Sequence, residues 1–209
     1  MTNSAVRKPS LRQAQREVTR AQIVKAASDL FLSLGYLNTS VSAIAIEAGV
    51  ALQTLYNAVG NKAALLSAVL DSAASGPKAP TPVPDFIRER SQEAASAQAL
   101  LAVLADWFVE VHARTAAMCL VIRQAAAVDE EIAQFEQATG EQRLRNYGLA
   151  AAELRAWGAI PLGMSNDEVA AAIWAIGNPD VYRTLVLNLG WSIPAYRKWV
   201  HKTLNYVLT

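Results

Sequence analysis

The sequence predicts an all-α fold, and three observations support that prediction. Alanine and leucine dominate a chain of 209 residues that is 53 % hydrophobic but only 7 % aromatic, and this composition favours helices. Apolar residues recur at helical spacing, whereas no strand-like alternation of apolar and polar residues persists. Glycines and prolines separate the helical stretches. The length suffices for one large domain or two smaller ones.

The first helix is predicted to begin at Thr19. Thr19 is followed three positions later by Gln22, and together they form a T-x-x-Q capping box. Apolar residues then follow at helical spacing until Gly35, which closes the helix. The preceding residues, 1–18, are polar and basic, and we expect them to form a flexible arm.

The next segment has the pattern of a helix-turn-helix. Ser40 is predicted to cap a short helix that ends at Gly49, and a second short helix follows over residues 50–57. Gly49 suits the tight turn between them, because a positive φ there costs any other residue about 1 kcal/mol or more. Asn61 is predicted to cap a fourth helix. In a helix-turn-helix the second helix enters the major groove of DNA.

The rest of the chain is predicted to be a loop followed by six helices. Residues 76–84 contain four prolines and cannot form a regular helix. The helical patterns after this loop cover residues 85–113, 116–127, 129–157, 167–176, 179–189 and 194–208.

Charge is unevenly distributed along the chain. The net charge is only +1, but residues 1–62 carry seven basic and three acidic residues, whereas the remainder carries twelve and fifteen. A basic end on a mildly acidic body favours contact with a polyanion at one end. A solvated basic tail is the alternative. Arg7, Lys8 and Arg12 have the same two interpretations, as an arm that follows DNA or as a solubilising tail.

Composition also bears on the compartment. The basic N-terminus is not followed by an apolar stretch, so no signal peptide is predicted. The longest charge-free apolar run, 94–105, is shorter than the roughly 20 residues that span a bilayer. A single cysteine, Cys119, excludes an internal disulfide and fits a reducing compartment. We therefore predict a cytoplasmic protein with no membrane partner.

No catalytic or metal-binding motif is apparent. The chain has two histidines, His112 and His201, and neither is placed to activate Cys119. There is no H-E-x-x-H motif, no glycine-rich phosphate loop and no cysteine pair for zinc. The sequence therefore predicts neither an enzyme nor a metal or cofactor site.

The outward side of the second short helix carries the chemistry expected of DNA recognition. Leu52, Gln53, Tyr56 and Asn57 are predicted to face outward while Leu55 packs inward. Glutamine can form paired hydrogen bonds with adenine, leucine can contact a thymine methyl group, and a tyrosine hydroxyl can donate to a phosphate.

Around this segment the sequence resembles the N-terminal domain of the TetR/AcrR family of transcriptional regulators. The resemblance extends without a gap over about fifty residues. The matching residues are Ile23, Ala26, Ala27, Leu30, Phe31, Gly35, Tyr36, Thr39, Ser40, Val41, Ile44, Ala45, Ala48, Gly49, Val50, Thr54, Leu55, Tyr56, Lys62 and Leu65.

The resemblance implies a three-helix DNA-binding domain, here residues 19–62, and a larger helical domain for ligand binding and dimerisation, here residues 63–209. It places Ser40, Tyr56 and Lys62 at phosphates. Arg16 and Arg20 are added as phosphate contacts because they lie near the first helix. The candidate DNA-binding residues are Arg16, Arg20, Thr39, Ser40, Leu52, Gln53, Thr54, Tyr56, Asn57 and Lys62.

The sequence departs from the family pattern at three positions. Ala51 replaces the usual serine, so the recognition helix lacks its usual N-cap, at a cost of about 1 kcal/mol. Ala58 and Val59 replace an aromatic residue or histidine followed by phenylalanine. Val59 still fills core space, whereas Ala58 removes a backbone contact.

A ligand pocket is expected among the helices between residues 85 and 157. Seven residues there combine aromatic walls with polar groups, although core packing is the alternative role for each. Arg123 stands between apolar segments and is predicted to be buried against Asp106, Glu110 or an anionic ligand. The seven candidates are Trp107, Phe108, His112, Met118, Arg123, Phe135 and Tyr147.

The C-terminal end shows a looser resemblance to the same family, over residues 179–183 and 191–199. In the family the last two long helices pair with their copies in a dimer. The apolar stripes of these helices fit that role, and packing inside the protomer is the alternative. The candidate interface residues are Val181, Leu185, Leu189, Trp199, Val200, Leu204 and Val207.

The resemblance therefore implies a DNA-binding regulator, a repressor released by a small-molecule effector, that binds a palindromic operator in double-stranded DNA as a homodimer. The alternative is an all-helical interaction module that retains the helix-turn-helix without sequence-specific DNA binding.

Overall fold

The computed structural model describes residues 10–76, 89–90 and 93–208. All regular structure in these ranges is helical, which confirms the predicted all-α fold. The basic positions Arg7 and Lys8, and residues 77–84 of the proline-rich segment, lie outside the described residues. The chain forms two compact units, Met1–Val69 and Leu70–Thr209.

The first unit contains three helices and the start of a fourth. These are α1 (Leu11–Asn38), α2 (Val41–Glu47), α3 (Leu52–Ala58) and α4 (Lys62–Ser75), and α4 ends in the second unit. The first three helices pack against one another, because each contributes fully buried apolar side chains to one core. These side chains are Ile23, Ala27, Phe31, Ile44 and Leu55.

The first helix begins earlier than the sequence predicts. Its N-cap is Ser10, whose Oγ accepts a hydrogen bond of 3.2 Å from the backbone N–H of Gln13. The prediction that Thr19 caps this helix is wrong, since Thr19 lies inside α1 and its hydroxyl donates to the carbonyl of Gln15 at 3.0 Å. Ser10 and Gln13 form an S-x-x-Q sequence equivalent to the T-x-x-Q that starts at Thr19. Residues 11–18 therefore belong to a helix rather than to a flexible arm.

The other predicted caps and turns of this unit are confirmed. Gly35 adopts a φ of 78° and interrupts the helical conformation of α1, and Gly49 adopts a φ of 67° between α2 and α3. The Oγ of Ser40 accepts from the N–H of Ala43 at 3.0 Å at the start of α2. Asn61 caps α4 in the same way, through a bond of 2.8 Å.

The second unit is built on two long helices. Most of its core lies between these and the C-terminal helices. Its elements are α5 (Ala97–Ala126), α6 (Glu130–Ala156), α7 (Asn166–Ile176), α8 (Pro179–Tyr182), a π-helical segment (Arg183–Asn188) and α9 (Ile193–Leu208).

The structure differs from the predicted helices in three respects. The predicted break between residues 113 and 116 is absent, because Thr115 satisfies its hydroxyl within the helix by donating to the carbonyl of Val111 at 2.8 Å. The same helix begins only after Ser96, whose Oγ accepts from the N–H of Ala99 at 3.2 Å. The predicted helix over residues 179–189 is π-helical from Arg183 onward, where each turn accommodates an extra residue.

In the described ranges, no helix has the length and the apolar character that crossing a bilayer requires.

Candidate functional site

The candidate recognition surface of the first unit is the outer side of α3. Leu52, Gln53, Thr54, Tyr56 and Asn57 are all exposed. Leu55 is the buried residue of this helix and fixes its orientation against α1 and α2. The side chains that the sequence predicts to face outward therefore form one continuous exposed surface.

Gln53 and Asn57 are linked on this surface. The Nε2 of Gln53 donates to the Oδ1 of Asn57 at 3.0 Å, which is a bond across one helical turn. The bond leaves the Oε1 of Gln53 as an acceptor and the Nδ2 of Asn57 as a donor toward a further partner. A base edge that presents both a donor and an acceptor, such as that of adenine, matches this pair.

Thr39 has a structural role rather than an exposed one. It is only 1 % exposed, and its hydroxyl lies 2.8 Å from the carbonyl of Gly35 and 3.2 Å from that of Leu30. This contact holds the turn that follows Gly35. The adjacent Ser40 is exposed at the N-terminus of α2, where a phosphate would meet the positive end of the helix. We therefore assign Thr39 to the fold and keep Ser40 as a candidate contact.

Lys62 is the first residue of α4. Its Nζ lies 4.1 Å from the centroid of the Tyr36 ring, in the geometry of a cation–π interaction. Tyr36 is buried, so its ring is held in place. The contact therefore fixes the ammonium group of Lys62 near the N-terminus of α4.

The N-terminal part of α1 brings the predicted phosphate contacts Arg16 and Arg20 onto one basic face together with Arg12. Arg12, Arg16 and Arg20 lie four residues apart and are all exposed, so they share one side of the helix. With Thr54 and Asn57 of α3 they line a concave surface that encloses a volume of about 750 Å³. The spacing of the three arginines is visible in the sequence, but they lie on one side of a helix only if the helix starts before Thr19.

The chain is all-α and exposes the second helix of a helix-turn-helix. These features place it in the class of helix-turn-helix DNA-binding regulators. Residues 23–69 match the sequence model of the bacterial regulatory proteins of the TetR family. This match over the N-terminal helices confirms the resemblance found in the sequence. A comparison with curated protein sequences finds no match.

Solved structures share the fold over nearly the whole chain. NalD of Pseudomonas aeruginosa, described as the secondary repressor of the MexAB-OprM multidrug efflux pump, is 19 % identical with a TM-score of 0.73, covering 93 % of this chain and 98 % of that one. FadR of Bacillus subtilis, solved with stearoyl-CoA, is 20 % identical with a TM-score of 0.72, covering 90 % and 99 %. A TetR-family regulator from Syntrophomonas wolfei is 22 % identical with a TM-score of 0.74, covering 92 % and 97 %.

Three of the seven predicted ligand residues, Phe108, His112 and Tyr147, form an aromatic cluster inside the second unit. Phe108 stacks on His112 with ring centroids 5.7 Å apart, and the edge of Tyr147 meets Phe108 at 5.9 Å. Trp107 and Met118 are buried nearby on α5. The cluster is packed, so these side chains contribute to the core in this structure.

His112 is the polar member of this cluster. Its Nε2 lies 2.7 Å from the carbonyl of Gly177, so this nitrogen carries the proton and donates, while Nδ1 is buried without a partner among the described residues. Burial lowers the pKa of His112 to about 4, the Gly177 bond opposes that shift, and the charge of Arg143 adds to it. Burial also raises the pKa of Tyr147 to about 12.

The prediction of a buried Arg123 is wrong. Its side chain is 51 % exposed, and it pairs with Glu136 at 3.4 Å and with Asp180. The two carboxylates predicted as its partners pair elsewhere, Asp106 with Arg197 and Glu110 with Arg90. The apolar neighbours of Arg123 in the sequence point inward from other sides of α5, because successive residues of a helix face different directions.

Arg114 is a further residue that the sequence did not single out. Its Nε and Nη2 donate to the carbonyls of Ala73 and Ala74, each at 2.9 Å, at the C-terminal end of α4. A cation at this end of a helix satisfies carbonyls that have no partner within the helix. Gly76 follows with a φ of 65°, and a Cβ there would lie 2.9 Å from the guanidinium. Arg114 thus holds the end of α4 against α5.

The predicted dimer residues divide into two groups. Val200 and Leu204 are fully buried in the core of their own protomer, so they are not available to a partner, and the alternative of internal packing is correct for them. Leu189 is 64 % exposed. Val181, Leu185, Trp199 and Val207 are partly buried against the core.

The same end of the chain also exposes apolar side chains that the sequence analysis did not select. Tyr206 is 89 % exposed, although it lies on the same helix as the buried Val200 and Leu204. The others are Leu187, Trp191 and Ile193.

Proposed function

We propose that this protein is a transcriptional repressor that binds a palindromic operator as a homodimer and is released from DNA by a small-molecule effector. The observation that carries the proposal is the exposed surface of α3, from Leu52 to Asn57, on a helix-turn-helix whose core is otherwise complete. The exposed leucine supplies an apolar contact for a thymine methyl group, and the two exposed amides supply the donors and acceptors that match base edges.

In this proposal base contacts and phosphate contacts come from different elements. Leu52, Gln53 and Asn57 read base edges in the major groove. Arg16 and Arg20 lie on the basic face of α1 that borders the same concave surface, and they contact phosphates. Ser40, Thr54, Tyr56 and Lys62 supply the remaining backbone contacts.

A homodimer is the form that gives such a short helix enough contacts for operator-level specificity. Leu187, Leu189, Trp191 and Tyr206 supply exposed apolar area near the C-terminus for the pairing of two protomers. The two recognition helices would then lie about 34–36 Å apart, one turn of DNA, and read a two-fold symmetric site.

In this proposal the ligand releases the protein from DNA by shifting the equilibrium between two spacings of the recognition helices. FadR, which has this fold, was solved with stearoyl-CoA, and NalD is described as a repressor. We propose that residues 63–209 form a regulatory domain in which an effector stabilises a spacing that no longer fits the operator. The protein would act in the cytoplasm, where both its DNA and its effector are accessible.

Selection of bound sequences from random double-stranded DNA tests the proposal. We expect a palindromic consensus with half-sites one helical turn apart. The variant Gln53→Ala should relax the preference at one position of each half-site, while Arg145→Gln, which alters an exposed arginine on α6, should leave the consensus unchanged. Binding without any consensus would instead favour the interaction module, and a consensus without two-fold symmetry would exclude the dimer.

A further inference from the structure

A small cavity lies in the second unit among α5, α6, α7 and the start of α8. Its volume is about 70 Å³. Ile122, Phe135 and Trp174 form much of its apolar wall, and Arg123 and Glu136 lie at the same cavity with Arg143. Leu70 of α4 also contributes to the wall. The cavity therefore combines an apolar surface with two guanidinium groups and one carboxylate.

The charges of this cavity do not balance. Arg123 pairs with Glu136 at 3.4 Å and with Asp180, and Asp180 is shared with Arg183 at 3.4 Å. These two carboxylates therefore already serve two arginines, and Arg143 adds a further positive charge. Arg143 forms no ion pair within the part of the chain that the structure describes, and its side chain makes a long contact of 3.9 Å from Nη2 to the Sγ of Cys119. A partly buried guanidinium without a carboxylate is costly, because the charge loses water and gains no counter-charge.

A second group at the cavity also lacks an acceptor. The Nε1 of Trp174 is buried and has no hydrogen-bond partner among the described residues. Both the indole N–H and the guanidinium are donors that cannot accept. The indole N–H has almost no accessible surface, so it is an unsatisfied donor within the cavity wall, and the guanidinium of Arg143 is the donor that an anion with several acceptor lone pairs would meet.

We propose that this cavity binds the carboxylate of a small organic acid, with Arg143 as the pairing cation. The volume is several times the roughly 10–15 Å³ that admits a single water molecule, which is enough for an acidic head group. It is smaller than the roughly 300 Å³ of a pocket that encloses a whole drug-sized ligand. The apolar body of the acid therefore extends toward Ile122 and Phe135. This inference deepens and rests on the proposed function, because it names the chemical class of the effector.

Titration calorimetry on the full-length protein without DNA provides the test. The probes are benzoate and hexanoate, each compared with its neutral isostere, benzamide and hexanamide. We expect the acids to bind and the amides to bind at least about tenfold more weakly, since an amide brings no charge to the guanidinium. Arg143→Gln should weaken the acids by about tenfold to a hundredfold, because a hydrogen bond to a charged group contributes that much.

Two further variants make the result specific to Arg143. Arg145 lies two residues after Arg143, on a different side of the same helix, and pairs with Glu141 at 3.8 Å. Arg145→Gln therefore removes an exposed arginine and should leave acid binding unchanged. Arg143→Lys keeps the charge but loses the planar fork, so its affinity should fall between those of the wild type and Arg143→Gln. Circular dichroism shows whether each variant remains folded.

Three outcomes would overturn the proposal. These are equal affinity for acids and amides, unchanged affinity in folded Arg143→Gln, and no binding of either acid at millimolar concentration. None of these outcomes depends on DNA, so a failed operator selection and a failed acid titration are separate results. If both succeed, benzoate or hexanoate should weaken operator binding by the wild type but not by Arg143→Gln.

Discussion

At the residue scale, substitutions at the N-cap of α3 should change the stability of the protein and its DNA affinity independently. Ala51 has an extended backbone, with φ −66° and ψ 144°, and provides no side-chain cap. Ala51→Ser and Ala51→Asp should each raise the free energy of unfolding by about 1 kcal/mol, because either oxygen accepts an N–H at the start of the helix. Urea unfolding measures this change.

The two variants should differ in DNA affinity. In the proposed complex with DNA, the carboxylate of Ala51→Asp would face phosphates near the start of α3 and be repelled, whereas the hydroxyl of Ala51→Ser would not repel them. Ala21→Ser, at an exposed position inside α1, is the matched control and should lower stability by a few tenths of a kcal/mol. Equal DNA affinity of the serine and aspartate variants would mean that the N-terminus of α3 does not face DNA.

His112 should make the second unit sensitive to acid. Its pKa is about 4 in the folded protein, against an ordinary value of 6.5, so between these values the unfolded chain binds the extra proton. The free energy of unfolding should therefore fall as the pH is lowered from 6.5 to about 4, by at most about 1.4 kcal/mol per pH unit. His112→Gln should flatten this slope in urea titrations at about pH 7, 6 and 5, which sample the upper part of that range.

The other histidine serves as the control for this prediction. His201 is only partly buried, and His201→Gln should retain the slope that His112 produces. A slope that survives in His112→Gln would show that other groups govern the acid sensitivity.

At the scale of the element, two glycines of the second unit should respond in opposite directions to alanine. Gly148 lies inside α6 with nothing within 4 Å of the position that a Cβ would occupy, so Gly148→Ala should raise the free energy of unfolding by about 0.5–1 kcal/mol. Gly177 ends α7 with an ordinary φ of −89°, but a Cβ there would meet the Phe108 ring far inside normal contact distance. Gly177→Ala should therefore be destabilising, by about 1–3 kcal/mol.

Thermal unfolding of the two variants, measured side by side, checks this pair. Since both substitutions add the same methyl group at a residue with negative φ, backbone strain does not distinguish them. A stable Gly177→Ala protein would mean that the Phe108 ring moves without cost and that its close approach to Gly177 is not needed for stability.

The elements also show where sequence reasoning succeeds. The caps at Ser40 and Asn61 could be predicted because each side chain contacts a backbone group only three residues away. The start of α1 could not, because Ser10 and Thr19 offer equivalent capping sequences and only the favourable propensity of the residues between them decides. The continuity of α5 through Thr115 depends likewise on a hydroxyl that the helix itself satisfies.

At the scale of the whole molecule, the sequence does not predict which surface each apolar helix face packs against. The apolar stripe of α9 is visible in the sequence, but a stripe does not state whether it packs inside the protomer or against a copy. Val200 and Leu204 are fully buried, whereas Tyr206, on the same helix, is exposed. The prediction that Arg123 is buried is wrong for a related reason. Its partners Glu136 and Asp180 are distant in the sequence, so the sequence does not show which carboxylates it pairs with.

Salt dependence tests the proposed arrangement of the dimer on DNA. Each phosphate contact that a cation makes releases counterions, so the logarithm of the affinity falls with the logarithm of the salt concentration by about 0.9 per contact. Arg16→Gln, Arg20→Gln and Lys62→Gln should each reduce this slope by about two per dimer, because both protomers carry the change. Arg145→Gln removes the same charge from the second unit and should leave the slope unaltered. A slope that changes equally in all four variants would point to net charge alone, and the basic face of α1 would then not contact the duplex.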